Sequence, residues 1–212
     1  MSKWRIRKLK IGAKYSHLNG YEWLMHHHPR MWKDLVASIN AVNAGSCKTK
    51  VSKEKNMKGK MLYAPTELNK AFKSELSKRG WGKPKRYNFY MSSDVNITRK
   101  LIGLSIEEQK ELAKLSGGTI YKGWNEADFF KNRVSLEVQF GKYSFVQFDM
   151  FIKHAANYMQ DKIDLGIEIV PMKKMEEEMS SGPPAYEKHL HEILRQGRIF
   201  PPVPLILIGV EP

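Results

Sequence analysis

The most chemically suggestive stretch of the 212-residue chain is RVSLEVQFGKYSF, residues 133–145. Its first half alternates strictly between apolar and polar residues, which is the period-two pattern of a half-buried β-strand. The pattern places Glu137 and Gln139 together on the polar side of that strand. If the polar side faces a cleft, an acid and an amide at this spacing could form part of a catalytic site. If it faces water, they are ordinary surface residues.

A second carboxylate, Asp128, precedes Glu137 by nine residues in NEADFFKNRVSLEVQF. A hairpin between them would bring the two side chains together. Adjacent carboxylates repel each other unless a cation lies between them, and Mg²⁺ is the usual hard cation with oxygen ligands. Mg²⁺ beside a phosphate polarises its oxygens and lowers the pKa of a bound water. The pair by itself is a weak pattern, because acids often occur at this spacing by chance.

The distribution of charge suggests what such a pair would act on. The chain carries a net charge of +14 at pH 7; residues 1–100 hold 23 Lys and Arg against 6 acids, whereas residues 101–212 hold 13 against 16. A basic half attracts a polyanion, and nucleic acid is the commonest one. Charge alone leaves solubility as an equal alternative, because many basic proteins bind nothing specific.

Other constellations carry weaker chemistry. His26, His27 and His28 could bind a transition metal, but consecutive histidines rarely point to one centre, so a polar loop before Pro29 is the preferred interpretation. The acidic run 176–178 is typical of a solvated helix face. The chain has no G-x-x-x-x-G-K-[ST] loop, which argues against a nucleotide cofactor.

Length and composition indicate how many domains to expect and in which cellular compartment. A chain of 212 residues with 42% apolar content suffices for one sizeable core, so a single domain over 1–212 is expected. The single cysteine, Cys47, excludes an intramolecular disulfide, and no apolar run approaches the ~20 residues of a membrane span. The basic N-terminus lacks the apolar stretch of a secretory signal. We therefore expect a cytoplasmic protein with no membrane contact.

The elements that must position the carboxylates alternate between strands and helices in the second half of the chain, which predicts an α/β core. Helical patterns cover residues 29–43, 64–80, 104–118, 148–160 and 184–196. Strand patterns cover residues 87–93, 133–140, 162–171 and 203–210. Thr66 is expected to cap the second helix and Gly80 to end it, while Ser105 and Glu108 form a capping box.

Two segments bear on partners. Residues 45–62 hold six lysines and little apolar content, which indicates a mobile basic loop. The helix 148–160 has apolar groups on most of its surface, so it is expected either inside the core or at a subunit seam.

The arrangement Asp128…Glu137-Val138-Gln139 resembles the active site of type II restriction endonucleases in the PD-(D/E)XK superfamily. It is most similar to the BglII-like branch, in which glutamine stands in place of the usual lysine. The resemblance is also carried by YSHLNG at 15–20, SKEK at 52–55, EVQFGKYSF at 137–145, EMSSG at 178–182, RQGR at 195–198 and PLILIG at 204–209. It therefore covers nearly the whole chain, and residues 1–14 stand outside it as a basic N-terminal extension.

The resemblance implies a fold and an activity. The fold is the restriction-endonuclease-like α/β core, a mixed central β-sheet flanked by helices, with most of the catalytic core in residues 101–212. The enzyme is expected to be a bacterial homodimer that uses Mg²⁺ to hydrolyse both strands of double-stranded DNA. The implied site is the palindrome purine-GATC-pyrimidine, cut to leave 5′ GATC overhangs.

The resemblance also implies roles for the site residues. Asp128 and Glu137 would bind Mg²⁺, and the backbone carbonyl of Val138 would complete the inner shell. Gln139 cannot act as a base or carry a positive charge, so its expected role is to orient the attacking water. The identity of the general base stays open.

Four residues are expected to contact DNA. Lys142 lies just beyond the catalytic strand, where its ammonium group could donate to purine N7 or guanine O6. Ser180 and Ser181 carry short hydroxyls that can donate or accept, which suits recognition of an outer base pair with either purine. Arg198 is a candidate for a bidentate guanine contact. The alternative is that Lys142 and Arg198 touch only phosphates and that the serines merely form a turn.

Two competing functions remain at this point. One is a non-catalytic nucleic-acid-binding protein in which Asp128 and Glu137 are surface residues. The other is a structure-directed DNA nuclease on the same fold, which would cut without sequence preference.

Overall fold

A mixed five-stranded sheet lies in the larger of two compact units into which the chain divides. The structure, a computed structural model, describes residues 7–180 and 182–212. The larger unit comprises the described residues up to Lys83 together with Asp128–Pro212, and Pro84–Ala127 form the smaller unit. Composition predicts a single domain over 1–212, whereas the contacts set residues 84–127 apart as an inserted unit.

The central sheet combines parallel and antiparallel pairing. Its strands are β1 (Lys10–His17), β6 (Phe129–Lys131), β7 (Val134–Val138), β8 (Leu165–Pro171) and β9 (Leu205–Glu211). They lie in the order β1-β9-β8-β7-β6, in which β7, β8 and β9 are parallel and the two outer strands are antiparallel to their neighbours. The predicted fold class, a mixed sheet flanked by helices, is confirmed.

A different group of helices covers each face of this sheet. The flanking helices are α1 (Gly20–His27), α2 (Pro29–Ala41), α3 (Pro65–Lys78), α6 (Tyr143–Phe148) and α9 (Tyr186–Arg195). Ile206 and Ile208 of β9 belong to the core formed with α1, α2 and α3, whereas Leu205 and Leu207 belong to the core formed with α6 and α9. Because both faces are covered, β8 and β9 appear in the sequence as continuous apolar runs.

The N-terminal region is part of the sheet. Residues 10–14, which the sequence assigns to a basic extension, form the first half of β1 and pair with the C-terminal strand β9. Pairing with β9 satisfies the backbone groups on one side of this segment.

The basic segment 45–62 has more structure than a loop. It contains a 3₁₀ turn over Lys55–Met57, and a second one over Ala44–Cys47 precedes it. The short strands β2 (Lys50–Val51) and β3 (Met61–Leu62) pair with each other. The sequence predicts a mobile basic loop here, and the structure adds a short strand pair and two 3₁₀ turns that its six lysines do not indicate.

Two local predictions near helix ends are wrong. Ala64, not Thr66, is the N-cap of α3, and Pro65 occupies its first position, so Thr66 lies inside the first turn. His26 and His27 form the last turn of α1 rather than a loop. Gly80 does follow the end of α3 with a φ of +74°, a conformation that favours glycine.

One long helical segment runs from Tyr143 to Met159. It begins as α6, continues as a π-helical segment over Asp149–His154, and ends as α7 (Ala155–Met159). A short helix, α8 (Lys173–Glu176), follows β8. The π segment widens the turn, which changes the set of residues that face the sheet.

The smaller unit is a two-stranded ribbon with two helices. The strands β4 (Lys85–Ser92) and β5 (Ile120–Ala127) pair antiparallel, and α4 (Val95–Leu101) and α5 (Ile106–Leu115) lie between them in the chain. The capping box of Ser105 and Glu108 at the start of α5 is present, as predicted. Within residues 7–180 and 182–212, no helix is long and apolar enough to cross a membrane.

Candidate active site

The two carboxylates predicted to act together lie at the open end of a β-hairpin. The turn residues Asn132 and Arg133 have φ angles of 47° and 61°, a left-handed conformation that suits a two-residue hairpin turn. Pairing of Phe129 with Leu136 sets the register of β6 against β7. That register puts residue 128 opposite residue 137, one step beyond the last pair.

The backbone joins the two carboxylates reciprocally. The Asp128 N–H donates to Glu137 Oε2 at 3.3 Å, and the Val138 N–H donates to Asp128 Oδ2 at 3.4 Å. The predicted hairpin and the proximity of Asp128 and Glu137 are thus confirmed. Val138 itself is buried, with its side chain in the core on the opposite face of β7.

The polar side of β7 does not face water. Ser135 is fully buried and Glu137 is 3% exposed, so the expectation of a half-buried strand is wrong. Two residues of the π segment reach this side: Lys153 Nζ lies 2.8 Å from Glu137 Oε1 and 2.6 Å from Asp149 Oδ1. The acid on the strand therefore faces a buried site lined by a helix.

Burial and charge set the protonation of this site. Burial raises the pKa of Glu137 well above its usual value, and the Asp128 and Asp149 charges raise it further, while Lys153 opposes the shift. Burial alone would lower the pKa of Lys153, but the Glu137 and Asp149 carboxylates outweigh that effect and raise it. The lysine therefore stays protonated and supplies the cation that the crowded carboxylates require.

Sequence reasoning missed Asp149 and Lys153. Their signal was present, because an acid four residues before a lysine in FDMFIKH is a typical helical ion pair. The segment was interpreted from its apolar content alone. The π segment also buries Asp149, Met150, Lys153 and His154 together, a pattern that regular helical periodicity does not predict as readily.

A second buried pair lies beside the first. Glu168 of β8 is the register partner of Glu137, and His154 Nε2 lies 3.0 Å from Glu168 Oε1. Burial, and then the nearby Asp149 and Glu137 charges, raise the pKa of Glu168 well above its usual value. Burial and the Lys153 charge lower the pKa of His154 to about 3. The imidazole of this pair is therefore neutral near pH 7.

The remaining predicted residues lie around this site or elsewhere. The Gln139 side chain is turned back on its own chain, where its Oε1 accepts from the Gly141 N–H at 3.0 Å. Lys142 and Arg198 are exposed, and the Ser180 hydroxyl accepts from Lys50 Nζ at 2.7 Å. Ser181 lies outside the described residues.

The donors at the site suit a hard cation. Within the described ranges 7–180 and 182–212, no group of three or more His, Cys, Asp or Glu side chains is arranged to hold a metal ion. Asp128 and Glu137 nevertheless present carboxylate oxygens side by side, and the Asp128 charge raises the pKa of Glu137. Two carboxylates completed by water and phosphate oxygens form a donor set typical of Mg²⁺.

Comparison with known proteins agrees with this geometry. The chain is similar to the crystal structure of restriction endonuclease BglII complexed with a DNA 16-mer, with a TM-score of 0.60, 19% identity, and coverage of 96% of this chain and 78% of that chain. Free BglII gives a TM-score of 0.53 and 17% identity over 96% of this chain and 79% of that chain. At these identities the likeness establishes the fold. No curated protein sequence matches the chain.

The fold and a match to a family model together identify the class of protein: a restriction endonuclease, which is a site-specific deoxyribonuclease. The family model described as restriction endonuclease BglII/BglIII matches residues 13–210. The chain therefore belongs to the BglII/BglIII family of restriction endonucleases.

Proposed function

We propose that this protein is a type II restriction endonuclease that uses Mg²⁺ to hydrolyse both strands of double-stranded DNA within the palindrome purine-GATC-pyrimidine. The cut leaves 5′ GATC overhangs. The observation that carries the proposal is the reciprocal bonding of Asp128 and Glu137 across the hairpin end. Membership of the BglII/BglIII family supports the reaction class.

The chemistry follows from the residues of the hairpin. Asp128 and Glu137 would hold the metal, with the Val138 carbonyl as a further oxygen ligand. When bound, Mg²⁺ supplies Lewis-acid polarisation of the phosphate and a bound water of lowered pKa. Gln139 lies two residues beyond Glu137, so a turn of its side chain away from Gly141 would bring its amide to the attacking water. An amide has no basic group, and its contribution is therefore orientation.

Several features support duplex DNA as the substrate. BglII, which this chain resembles in fold, has been crystallised with a DNA 16-mer. The first 100 residues carry 23 Lys and Arg against 6 acids, a surplus suited to the phosphate backbone. We expect the logarithm of the binding constant to fall steeply with the logarithm of salt concentration. A nearly flat dependence would mean that these lysines face away from DNA.

The proposed recognition site rests on the resemblance of the sequence to BstYI, a member of the BglII-like branch. Lys142 is exposed at the N-terminus of α6, directly after the catalytic strand, where its ammonium group is available to purine N7 atoms. Ser180, Ser181 and Arg198 are proposed as further contacts to bases. Replacing Lys142 by Asn and profiling all outer base pairs tests this assignment, since a uniform loss would indicate phosphate contact alone.

We further propose a homodimer. A twofold-symmetric site is most simply read by a twofold-symmetric protein. The helical segment 143–159 exposes an apolar stripe that a second copy would cover: Phe145, Phe148, Ile152 and Met159, which are 52%, 42%, 54% and 71% exposed. Light scattering should give about twice the chain mass of 24.6 kDa. A monomer both free and on DNA would contradict the proposal.

The decisive experiment is digestion of a long duplex of known sequence with Mg²⁺. Discrete fragments whose ends map to purine-GATC-pyrimidine are expected, and Asp128→Ala should produce none. Ca²⁺ should support binding without cleavage, because it coordinates loosely and activates water poorly. A smear of fragments would indicate a nuclease without sequence preference, and intact DNA with specific binding would indicate a non-catalytic protein.

A further inference from the structure

The active-site strand carries no positive charge, and a helix supplies one instead. Gln139 is neutral, and both Asp128 and Glu137 are acids. The side chain of Lys153 is 6% exposed, and its Nζ lies between the carboxylates of Glu137 and Asp149 at 2.8 Å and 2.6 Å. A buried ammonium thus contacts the same carboxylate that the hairpin presents to Asp128.

The π segment is what brings this lysine to the strand. Asp149 and Lys153 lie four residues apart and His154 five, and a π turn aligns residues at both of these spacings. Lys153 then reaches Glu137 on β7, while the next residue, His154, reaches Glu168 on β8.

Stability is a poor explanation for this arrangement. Burying two carboxylates and an ammonium costs desolvation that their attraction at best offsets, and apolar residues of similar volume often do as well. Rare π segments occur often at functional sites. The combination points to a role in the chemistry of Glu137.

We propose that Lys153 supplies the positive charge that Gln139 lacks, and that it acts through Glu137 as a positioning residue held in place by Asp149. The proposal rests on the proposed function. The ammonium fixes Oε1 of Glu137, which leaves Oε2 beside the Asp128 N–H at the mouth of the hairpin. It also offsets the repulsion that three carboxylates would exert on an incoming phosphate.

The first test compares cleavage by variants with and without a cation at the site. Lys153→Met should lower the cleavage rate by about 10²-fold or more, which is typical for loss of a fixed charge in an active site. Lys153→Arg should recover at least tenfold of that loss. The matched control is Lys131→Met, since Lys131 is a partly buried lysine 3.6 Å from Asp34 that lies outside the site. It should cut at close to the wild-type rate.

The second variant moves the cation from the helix to the strand. Residue 139 follows Glu137 on the same side of the strand, so a lysine there could reach the same carboxylate. Gln139→Lys in the Lys153→Met background should therefore restore cleavage at least tenfold. A merely structural role for Lys153 predicts no such rescue. If Lys153→Met does not fold, the double variant Lys153→Met/Asp149→Asn removes one cation and one anion together. Gln139→Lys is then added to that double variant, and the same recovery of cleavage is expected.

A third readout needs neither metal nor turnover. Lys153→Met should weaken metal-free binding of duplex DNA several-fold, because uncompensated carboxylates then face the phosphates. Glu137→Gln should bind as tightly as the wild type or more tightly. If Lys153 acts through Glu137, the double variant should recover most of the affinity that Lys153→Met loses.

The outcomes separate this inference from the proposed function. A Lys153→Met protein that cuts within threefold of wild type overturns the inference, and so does a folded, inactive one that Gln139→Lys does not rescue. Wild-type and Lys131→Met proteins that cut no duplex overturn the proposed function. In that case the metal-free binding cycle alone decides whether Lys153 acts on Glu137.

Discussion

Glu137 and Glu168 occupy matching positions on neighbouring parallel strands, yet their partners differ in charge. Each is nearly or fully buried, and each contacts one of two consecutive helix residues, Lys153 or His154. Glu137 lies next to Asp128 and a protonated lysine, whereas Glu168 faces a neutral imidazole. The same residue type at the same depth therefore lies beside a protonated lysine on one strand and beside a neutral imidazole on the next.

The difference shows that partners, rather than burial, decide the role of a buried acid. Burial is the largest cause that raises the pKa of both glutamates. Lysine can keep a neighbouring carboxylate ionised, but a histidine whose pKa is lowered to about 3 cannot. We therefore expect the catalytic role on β7, with the Glu168–His154 pair beside it on the neighbouring strand.

The same substitution at the two positions should give the largest contrast. Glu137→Gln should abolish cleavage, with a loss above about 10³-fold, because the amide cannot hold a divalent cation as a carboxylate does. Glu168→Gln keeps a hydrogen-bonding group of equal size beside His154 and should change the rate less than about tenfold. Rates of plasmid cleavage in Mg²⁺ measure both effects. Equal losses of cleavage rate in the two variants would contradict a difference in role between Glu137 and Glu168.

Removing the histidine should affect stability more than replacing the Glu168 carboxyl by an amide. His154→Ala leaves Glu168 without its partner and opens a cavity in the core, which should cost about 2–4 kcal/mol of unfolding free energy. Glu168→Gln should cost less than about 1 kcal/mol. Urea unfolding at pH 7.5 gives both values. A smaller cost for His154→Ala than for Glu168→Gln would mean that the pair is ionic.

A second buried histidine, His189, provides a reference for pH dependence. Burial and the Lys188 charge lower the pKa of His189 to about 4, and neither ring nitrogen has a hydrogen-bond partner among the described residues. The unfolded state binds more protons between that value and 6.5, so stability is full above pH 6.5 and falls as the pH drops towards 4. His189→Leu should reduce the loss of unfolding free energy between pH 6.5 and pH 4 by on the order of 2–3 kcal/mol.

Urea unfolding at pH 7.5, 6 and 5 measures the effect of His189→Leu. His154 has an even lower pKa, about 3, and contributes a fall of the same sign that persists in the variant. An unchanged slope in His189→Leu would show that the His189 ring is solvated.

An exposed pair should show the smallest effect. Lys114 and Glu111 lie 2.6 Å apart on α5, with side chains 59% and 63% exposed. Exposed pairs at helical spacing contribute about 0.3–0.5 kcal/mol and are screened by salt. Glu111→Gln should therefore leave the unfolding free energy unchanged within the error of urea unfolding. A larger change that persists in 1 M salt would contradict a surface role.

Local patterns were sufficient to predict the hairpin half of the site. Asp128 and Glu137 lie within ten positions of each other, and the intervening segment specifies a two-residue turn. Period-two alternation then places both acids on one side. The helices α2, α3 and α5 followed from their apolar spacing for the same reason, because helical and strand periods are properties of neighbouring residues.

The helix half of the site required the tertiary structure. An apolar pattern reports that a helix is buried, but it does not report which strand the helix covers. Lys153 and Glu137 are 16 positions apart, and only the packing of the π segment on β7 brings them together. Alternation alone predicts that Ser135 and Glu137 face solvent. They are buried because the same helical segment packs on their side of β7.

The sequence by itself determined the α/β class and the acidic hairpin, because helix and strand periods and a short turn are properties of residues close in the chain. Only the tertiary structure decided that the polar side of β7 is buried, that Lys153 contacts Glu137, and that Glu168 lies against a neutral imidazole. These depend on which charges surround a group once water has been excluded. A buried charge interacts strongly with every neighbour within a few ångströms, and linear sequence does not specify those neighbours.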